Sequence, residues 1–232
     1  MNIHLENVNL QSTSGPNHFA SKLIKCLDAT FDYNKDPDVR LCFIETHQTK
    51  FNDVPLVQRL DGIYFNSLQP YRIQNVNIEK TYKEADGVIF QSNFNKELTT
   101  KYFGEHKNDV VIHNGADTDY INSVSTLKNP GLDSYENIWC CASSWRPHKR
   151  LYDNIRYFLE YSSPKDCLII AGENSGTIPK LDRVYYVGKI SVLQLIALYK
   201  RSKYFLHLAW LDHCPNVVVD ARACGCQIIC SS

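Results

Sequence analysis

Short apolar runs alternate along the chain with segments in which apolar residues recur at helical spacing. The runs have the length and composition of strands buried in a sheet. They cover residues 40–44, 87–90, 110–112, 138–141, 167–170 and 204–208. Since strands that alternate with helices form parallel sheets covered by helices, the pattern predicts an α/β fold.

Three segments between these runs carry an apolar stripe on one helical face. The stripes are Phe19, Leu23 and Leu27, then Leu151, Ile155, Phe158 and Leu159, and then Val192, Leu195, Ile196 and Tyr199. Apolar residues at this spacing are typical of helices that pack on a core. We therefore expect the stripes to be core rather than cofactor contacts.

The stretch from about residue 117 to 136 is rich in Asp, Asn, Ser, Thr, Pro and Gly, and the strand-helix alternation restarts after it. Such composition is typical of an interdomain linker. We predict an N-terminal Rossmann-like domain over residues 1–120, a linker over 121–135 and a C-terminal Rossmann-like domain over 136–232. Folds of this kind bind ligands at the carboxyl ends of their strands.

Composition narrows the classes of partner. The 232 residues are 44% hydrophobic, enough for a sizeable core, and 25 basic residues balance 25 acidic ones. Without net charge, no global field attracts nucleic acid or an anionic membrane. Nucleic acid is therefore not expected as a partner, and any charged ligand must be bound by a local group of residues.

The polar first ten residues lack the apolar core of a signal peptide, and no apolar run reaches about 18 residues. We expect a cytoplasmic protein without a transmembrane segment.

The nine cysteines are odd in number and scattered, and several lie inside apolar runs. Buried reduced thiols are the simplest interpretation. Cys214, Cys224, Cys226 and Cys230 lie near His213, but they form no pair of CxxC motifs at ligand spacing. The sequence therefore predicts no metal site.

The first candidate for chemistry is the segment 14–19, between a possible strand near residues 3–5 and the first helical stripe. Gly15 would allow the backbone to approach a phosphate at a helix N-terminus. Neither a GxGxxG fingerprint nor a P-loop is present. A plain turn and helix cap is an equally good interpretation.

The second candidate is the segment 142–150, which carries Arg146, Lys149 and Arg150 between the strand at 138 and the helix at 151. Cations at the carboxyl end of a strand can bind a diphosphate. The alternative is a solvated charged loop.

The third candidate is the segment 210–215, followed by a short helix from Asn216 to about residue 224 that ends at Gly225. Pro215 and Asn216 suit a helix start, whose N–H groups and dipole favour an anion. Asp212 would lie before this helix and Asp220 within it. One carboxylate could serve a reacting sugar and the other ribose hydroxyls, whereas the alternative is a cap plus a surface Asp.

With seven residues between Asp212 and Asp220, the sequence resembles the family 4 retaining glycosyltransferases, whose donor-domain signature is two Glu separated by seven residues. Here both are Asp, which is shorter by roughly an ångström or more. Other segments resemble the family in the same order, namely 85–92, 111–117, 186–190, 195–199, 204–208 and 223–229.

The resemblance implies a GT-B fold of two Rossmann-like domains, with a C-terminal domain that is shortened because the chain stops at Ser232. It implies that Lys149 binds the donor diphosphate, that Asp212 contacts the sugar and that Asp220 holds ribose. Ser144 stands where the family usually has an Arg, and Arg146 is the nearby guanidinium. The other donor-binding positions that it implies are Gly15, Gly188, His213, Cys214, Pro215, Asn216 and Val217.

The reaction implied is transfer of a sugar, with retention, from a nucleotide-diphosphate sugar to a glycan, lipid-linked or protein-linked acceptor, without metal or cofactor. His47 and Arg59 are candidates for the acceptor side, although a lone His is usually structural. The alternative function is a catalytically silent module that binds a nucleotide or a partner. A metal-dependent phosphotransferase is weaker, since the sequence lacks a P-loop and a carboxylate metal cage.

Overall fold

The computed structural model describes residues 1–12, 14–48, 53–67, 69–174, 176–210 and 212–231. The chain divides by its internal contacts into two units, Met1–Asn114 and Gly115–Ser232. Each unit contains one five-stranded sheet in which all strands are parallel. The α/β fold expected from the hydrophobic pattern is therefore confirmed.

The first unit has a sheet in which the spatial order of the strands follows the chain, β1-β2-β3-β4-β5. The elements are β1 (Ile3–Glu6), α1 (Gly15–Cys26), β2 (Val39–Phe43), β3 (Leu56–Leu60), α2 (Tyr71–Glu84), β4 (Gly87–Phe90), α3 (Asn93–Phe103) and β5 (Asp109–Val111). Side chains of α1 pack in one apolar cluster with alternate strand residues, and side chains of α2 and α3 pack in the other. Because strand side chains alternate in direction, the two clusters lie on opposite faces of the sheet.

The second unit has the strand order β10-β9-β6-β7-β8. Its elements are α4 (Thr118–Ser123), a 3₁₀ turn (Pro130–Leu132), β6 (Ile138–Ala142), a 3₁₀ turn (Pro147–Lys149), α5 (Leu151–Tyr161), β7 (Cys167–Ala171), β8 (Val184–Gly188), α6 (Val192–Arg201), β9 (Tyr204–His207), α7 (Asn216–Ala223) and β10 (Gln227–Cys230). Helix α5 covers one face of the sheet, while α6 and α7 cover the other.

The direction in which the chain adds strands to this sheet reverses between the neighbouring strands β6 and β9. After β6 the chain continues to β7 on one side, and after β9 it continues to β10 on the other side. The connections that follow these strands therefore run in opposite directions, an arrangement that opens a crevice at the carboxyl ends of a parallel sheet. In open parallel sheets this is the position at which ligands bind.

The segment 121–135, predicted as a linker, packs on the second unit. Ile121, Val124 and Leu132 are buried in the same cluster as α6. The main chain of Leu127 donates to the Ala197 carbonyl at 3.0 Å, and Lys200 Nζ donates to the Val124 carbonyl at 2.6 Å. These apolar residues have neither helical nor strand periodicity, so the polar residues around them dominate the sequence pattern.

All six apolar runs overlap strands of the structure, and the three helical stripes fall on α1, α5 and α6. Two stripe residues were assigned wrongly to the core. Leu27 is 39% exposed and is the C-cap residue of α1. Leu159 is 42% exposed, because the buried face of α5 is formed by Leu151, Asn154, Ile155 and Phe158. The helix predicted from Asn216 is confirmed as α7, with Pro215 at its N-cap and Gly225 at φ +96° beyond its end.

None of the helices in the described residues is long and apolar enough to cross a bilayer. The same residues contain no group of three or more His, Cys, Asp or Glu side chains placed to hold a metal ion. Five of the cysteines are buried, namely Cys42, Cys140, Cys141, Cys167 and Cys226.

A close backbone contact at Gly172, just after β7, fixes the start of the loop that follows β6. Gly172 has φ +112°, and a Cβ atom there would lie 1.8 Å from the Ser143 carbonyl oxygen. Real Cβ atoms essentially never come so close to a backbone atom. The position therefore requires glycine for both its conformation and its contact.

We predict that Gly172→Ala destabilises the second unit more than Gly225→Ala does. Gly225 has a similar φ of +96° but nothing within 4 Å of its hypothetical Cβ, so its substitution reports backbone strain alone, about 1–3 kcal/mol. The overlap with Ser143 should add roughly 1–3 kcal/mol. Urea unfolding followed by tryptophan fluorescence measures both, and equal losses would contradict the steric argument.

Candidate functional site

The loop after β6 is held against the sheet by Trp145. The indole is buried, its Nε1 donates to the Ala171 carbonyl at 2.9 Å, and its main-chain N–H donates to the Glu173 carbonyl at 2.8 Å. The following 3₁₀ turn ends at Arg150, which has the left-handed φ of +53° and leads directly into α5. Lys149 is thereby placed at the carboxyl end of β6 on a well-fixed backbone.

The loop after β9 is tied to the loop after β6 by main-chain contacts. The N–H of Trp210 donates to the His148 carbonyl at 2.7 Å. The hydroxyl of Ser231 donates to the Ala209 carbonyl at 2.9 Å and links the same loop to the end of β10. The loop after β9 is therefore joined both to the loop after β6 and to the end of β10.

Asn154 is a buried side chain that bridges these two loops. Its Nδ2 donates to the carbonyls of Arg150 at 2.8 Å and Lys149 at 3.3 Å. Its Oδ1 accepts from the N–H of Leu208 at 3.1 Å. Asn154 is not among the site residues predicted from the sequence, although a polar side chain on the apolar face of α5 is a usable signal.

A cluster of charged side chains lies at the crevice. Lys149 Nζ forms an ion pair with Asp212 Oδ2, and His207 Nε2 lies 2.9 Å from the same oxygen. Lys149 and Asp212 are only partly exposed, at 20% and 21% of their side-chain surfaces, and the His207 side chain is 9% exposed. The fold thus brings Lys149 next to Asp212, from which it is separated by 62 residues.

The electrostatics of Asp212 reflect this environment. Burial acts to raise the pKa of its carboxyl, but the hydrogen bond from His207 and the positive charge of Lys149 outweigh burial. The pKa of Asp212 is consequently lowered well below its ordinary value, so the carboxylate is charged at any physiological pH.

Two further histidines flank the ion pair. Burial lowers the pKa of both His148 and His213, and the positive charge of Lys149 lowers each further, while Asp212 opposes the shift. Arg146 adds to the effect at His148. Both shifts favour the neutral form of these two imidazoles over the charged form.

Helix α7 begins a few residues after Asp212. Pro215 is its N-cap and makes no side-chain cap hydrogen bond, and Asn216 and Val217 are the first helical residues. A helix start of this kind presents main-chain N–H groups and the positive end of the helix dipole to an anion. Asp220 lies in the second turn and is 7% exposed.

The remaining predicted donor-binding residues of the second unit lie on the loops after β6 and β9 and at the end of β8. Ser144 and Arg146 are exposed on the loop after β6, and His213 and Cys214 are half-buried between Asp212 and α7. Gly188, with φ +69°, ends β8 and accepts a hydrogen bond from the Gly172 N–H at 2.8 Å.

Three predicted residues belong to the first unit. Gly15 is the first residue of α1. His47 is exposed, and its Nδ1 lies 3.2 Å from Asn77 Nδ2. Arg59 is buried, with NH2 2.7 Å from Asn114 Oδ1 and its guanidinium 3.8 Å from the centre of the Phe19 ring. Arg59 is therefore engaged in contacts within its own unit.

Solved structures show where this fold occurs. The chain is similar to the Anabaena protein HepE in complex with UDP-glucose, with a TM-score of 0.70 and 16% identity over 99% of this chain and 80% of that one. It is similar to sucrose-phosphate synthase from Thermosynechococcus elongatus, with a TM-score of 0.68 and 13% identity over 94% of this chain and 60% of that one.

A third similar structure is an α-glucosyltransferase in complex with UDP-glucose and DNA containing an abasic site, with a TM-score of 0.64 and 15% identity over 99% of this chain and 79% of that one. No family model matches the chain, and no curated protein matches it by sequence. The structural likeness confirms the predicted GT-B fold with two Rossmann-like units.

We predict that Asn154→Ala loosens the two loops. The variant removes the acceptor of the Leu208 N–H and should lower the free energy of unfolding by about 1–3 kcal/mol. Hydrogen exchange followed by mass spectrometry should show faster exchange at Leu208. The matched control is Asn137→Ala, which removes a 2.8 Å hydrogen bond to Asp166 just before β6, at the opposite end of that strand. Equal exchange at Leu208 in both variants would show that Asn154 does not join the loops.

Proposed function

We propose that this chain transfers a glycosyl group, with retention, from a nucleotide-diphosphate sugar to a glycan or glycolipid acceptor. The proposal rests mainly on the ion pair between Lys149 and Asp212. The pair joins the loops that follow the neighbouring strands β6 and β9, shortly before the start of α7. A cation and a helix start suit the donor diphosphate and the negative charge that develops on it as it leaves. A carboxylate beside them suits the hydroxyls of the sugar.

In this proposal the residues divide the work along the donor. Lys149 and Arg146 neutralise the departing diphosphate, and the N–H groups at the start of α7 contribute further positive potential. Asp212 accepts a hydrogen bond from a sugar hydroxyl, and Asp220 holds ribose. His213 and Cys214 lie between the two carboxylates in sequence and would border the sugar.

The Lys149–Asp212 ion pair gives the proposal a specific binding step. A diphosphate carries more negative charge than a single carboxylate, and phosphate oxygens accept strong charge-assisted hydrogen bonds from lysine. Donor binding would therefore move Lys149 from Asp212 to the diphosphate and release the carboxylate toward the sugar. Protein cations and a helix dipole carry the charge stabilisation that a metal ion could otherwise supply, so turnover should persist in excess EDTA.

The donor is best sought with a panel of UDP-glucose, GDP-mannose and ADP-glucose. HepE and the α-glucosyltransferase were both determined with UDP-glucose, which makes it the first probe. Titration calorimetry measures binding, and release of the nucleoside diphosphate measures slow donor hydrolysis without a known acceptor. Binding without hydrolysis or transfer would favour a catalytically silent module, and absence of both would contradict the proposal.

We predict that Lys149→Ala weakens donor binding or turnover by about 1.5–3 kcal/mol, or roughly 10- to 150-fold, as expected for loss of a charge-assisted contact. Lys165→Ala is the matched control, because Lys165 is an exposed lysine of the same unit that precedes β7 at the opposite edge of the sheet. Unchanged donor affinity and rate in Lys149→Ala would remove this lysine from the site.

A further inference from the structure

His207 occupies a position in β9 where an apolar side chain is the usual choice. Side chains alternate along a strand, so His207 points to the same face as Phe205, which is completely buried in the α6 and α7 cluster. The imidazole is itself buried, with 9% of its side chain exposed. A buried polar ring requires a hydrogen-bond partner, and here the partner is Asp212.

The backbone of His207 is fixed more firmly than that of its partner. It lies in β9, in register with Cys230 of β10, and two residues earlier the same strand pairs with β6. Asp212 lies instead on the loop after β9, and Lys149 is a long side chain with several rotatable bonds. A group on a rigid element can orient a flexible one that contacts substrate.

The two donors to Asp212 leave its carboxylate asymmetric. Both Lys149 Nζ and His207 Nε2 contact Oδ2. In the part of the chain that the structure describes, no hydrogen bond reaches Oδ1, and the side chain is 21% exposed. One oxygen is therefore held by the protein while the other is open to a ligand hydroxyl.

We infer that His207 is a positioning residue, which holds Oδ2 of Asp212 when Lys149 turns to the donor diphosphate and so keeps Oδ1 directed to a sugar hydroxyl. The inference rests on the proposed function and assigns a residue that lies outside the donor-binding positions implied by the sequence. Its physical basis is that a partly buried carboxylate that lost its contact with Lys149 would need another donor to stay charged and ordered.

The test compares a nucleoside diphosphate with its sugar conjugate. The protein is the full chain, and the probes are the best-binding donor of the panel and the matching nucleoside diphosphate without sugar. In His207→Phe, which keeps the ring shape but removes the donor, affinity for the diphosphate should stay within about 2-fold. Affinity for the sugar conjugate and its hydrolysis should fall roughly 10-fold, as expected for loss of a hydrogen bond to a charged group.

Two further variants of His207 distinguish a positioning role of its side chain from a packing role. His207→Gln places an amide N–H near the position of Nε2 and should restore most of the preference for the sugar conjugate, whereas His207→Asn is too short to reach Asp212 and should not. If His207→Phe does not fold, the comparison of Gln with Asn carries the test. Equal loss of both ligands in these variants, or no loss of either, would overturn the inference.

The failure of the proposed function would look different. In that case the wild-type chain itself would bind neither the diphosphates nor their sugar conjugates, whatever residue stands at position 207. A wild-type chain that prefers the sugar conjugate, together with a His207→Phe variant of the same preference, would leave the proposed function standing and reject only the role of His207.

Discussion

The parallel pairing of β6 with β9 is the constraint on which the candidate site depends. These strands are far apart in sequence, yet Trp139 lies in register with Tyr204 and Cys140 with Phe205. Because the chain leaves them in opposite directions, their loops open a crevice that no other pair of neighbouring strands in the second sheet provides. Asn154 and the close contact at Gly172 then hold these loops at the crevice.

Much of the fold was predictable because its buried strands are continuous apolar runs. Strand β3 was not predicted, because Gln58 and Arg59 interrupt its run of apolar residues. Gln58 Nε2 donates to the Ile44 carbonyl at 2.6 Å, and Arg59 is paired within the unit, so both are buried with partners that only the tertiary structure supplies. Helix α2 was also not predicted, because its buried face includes Asn75 and Thr81.

The candidate site likewise contains residues that the sequence pattern identifies and residues that it does not. Lys149 and Asp212 could be selected from the sequence because each lies just after an apolar run, where parallel sheets place their ligands. Asn154 and His207 occupy positions of a helix and a strand where an apolar side chain is expected, so periodicity assigns them to the core. Only the tertiary structure shows that Asn154 contacts both loops and that His207 contacts the carboxylate of Asp212.

We propose that Lys149 exchanges Asp212 for the donor diphosphate when the donor binds. A crystal structure of the chain with the best-binding donor of the panel tests it most directly, through the distances from Lys149 Nζ to the diphosphate oxygens and to Asp212 Oδ2. We expect a diphosphate oxygen within hydrogen-bond distance of Nζ, beside the first turn of α7, with Asp212 turned to the sugar. A donor bound elsewhere, with the Lys149–Asp212 ion pair unchanged, would contradict it.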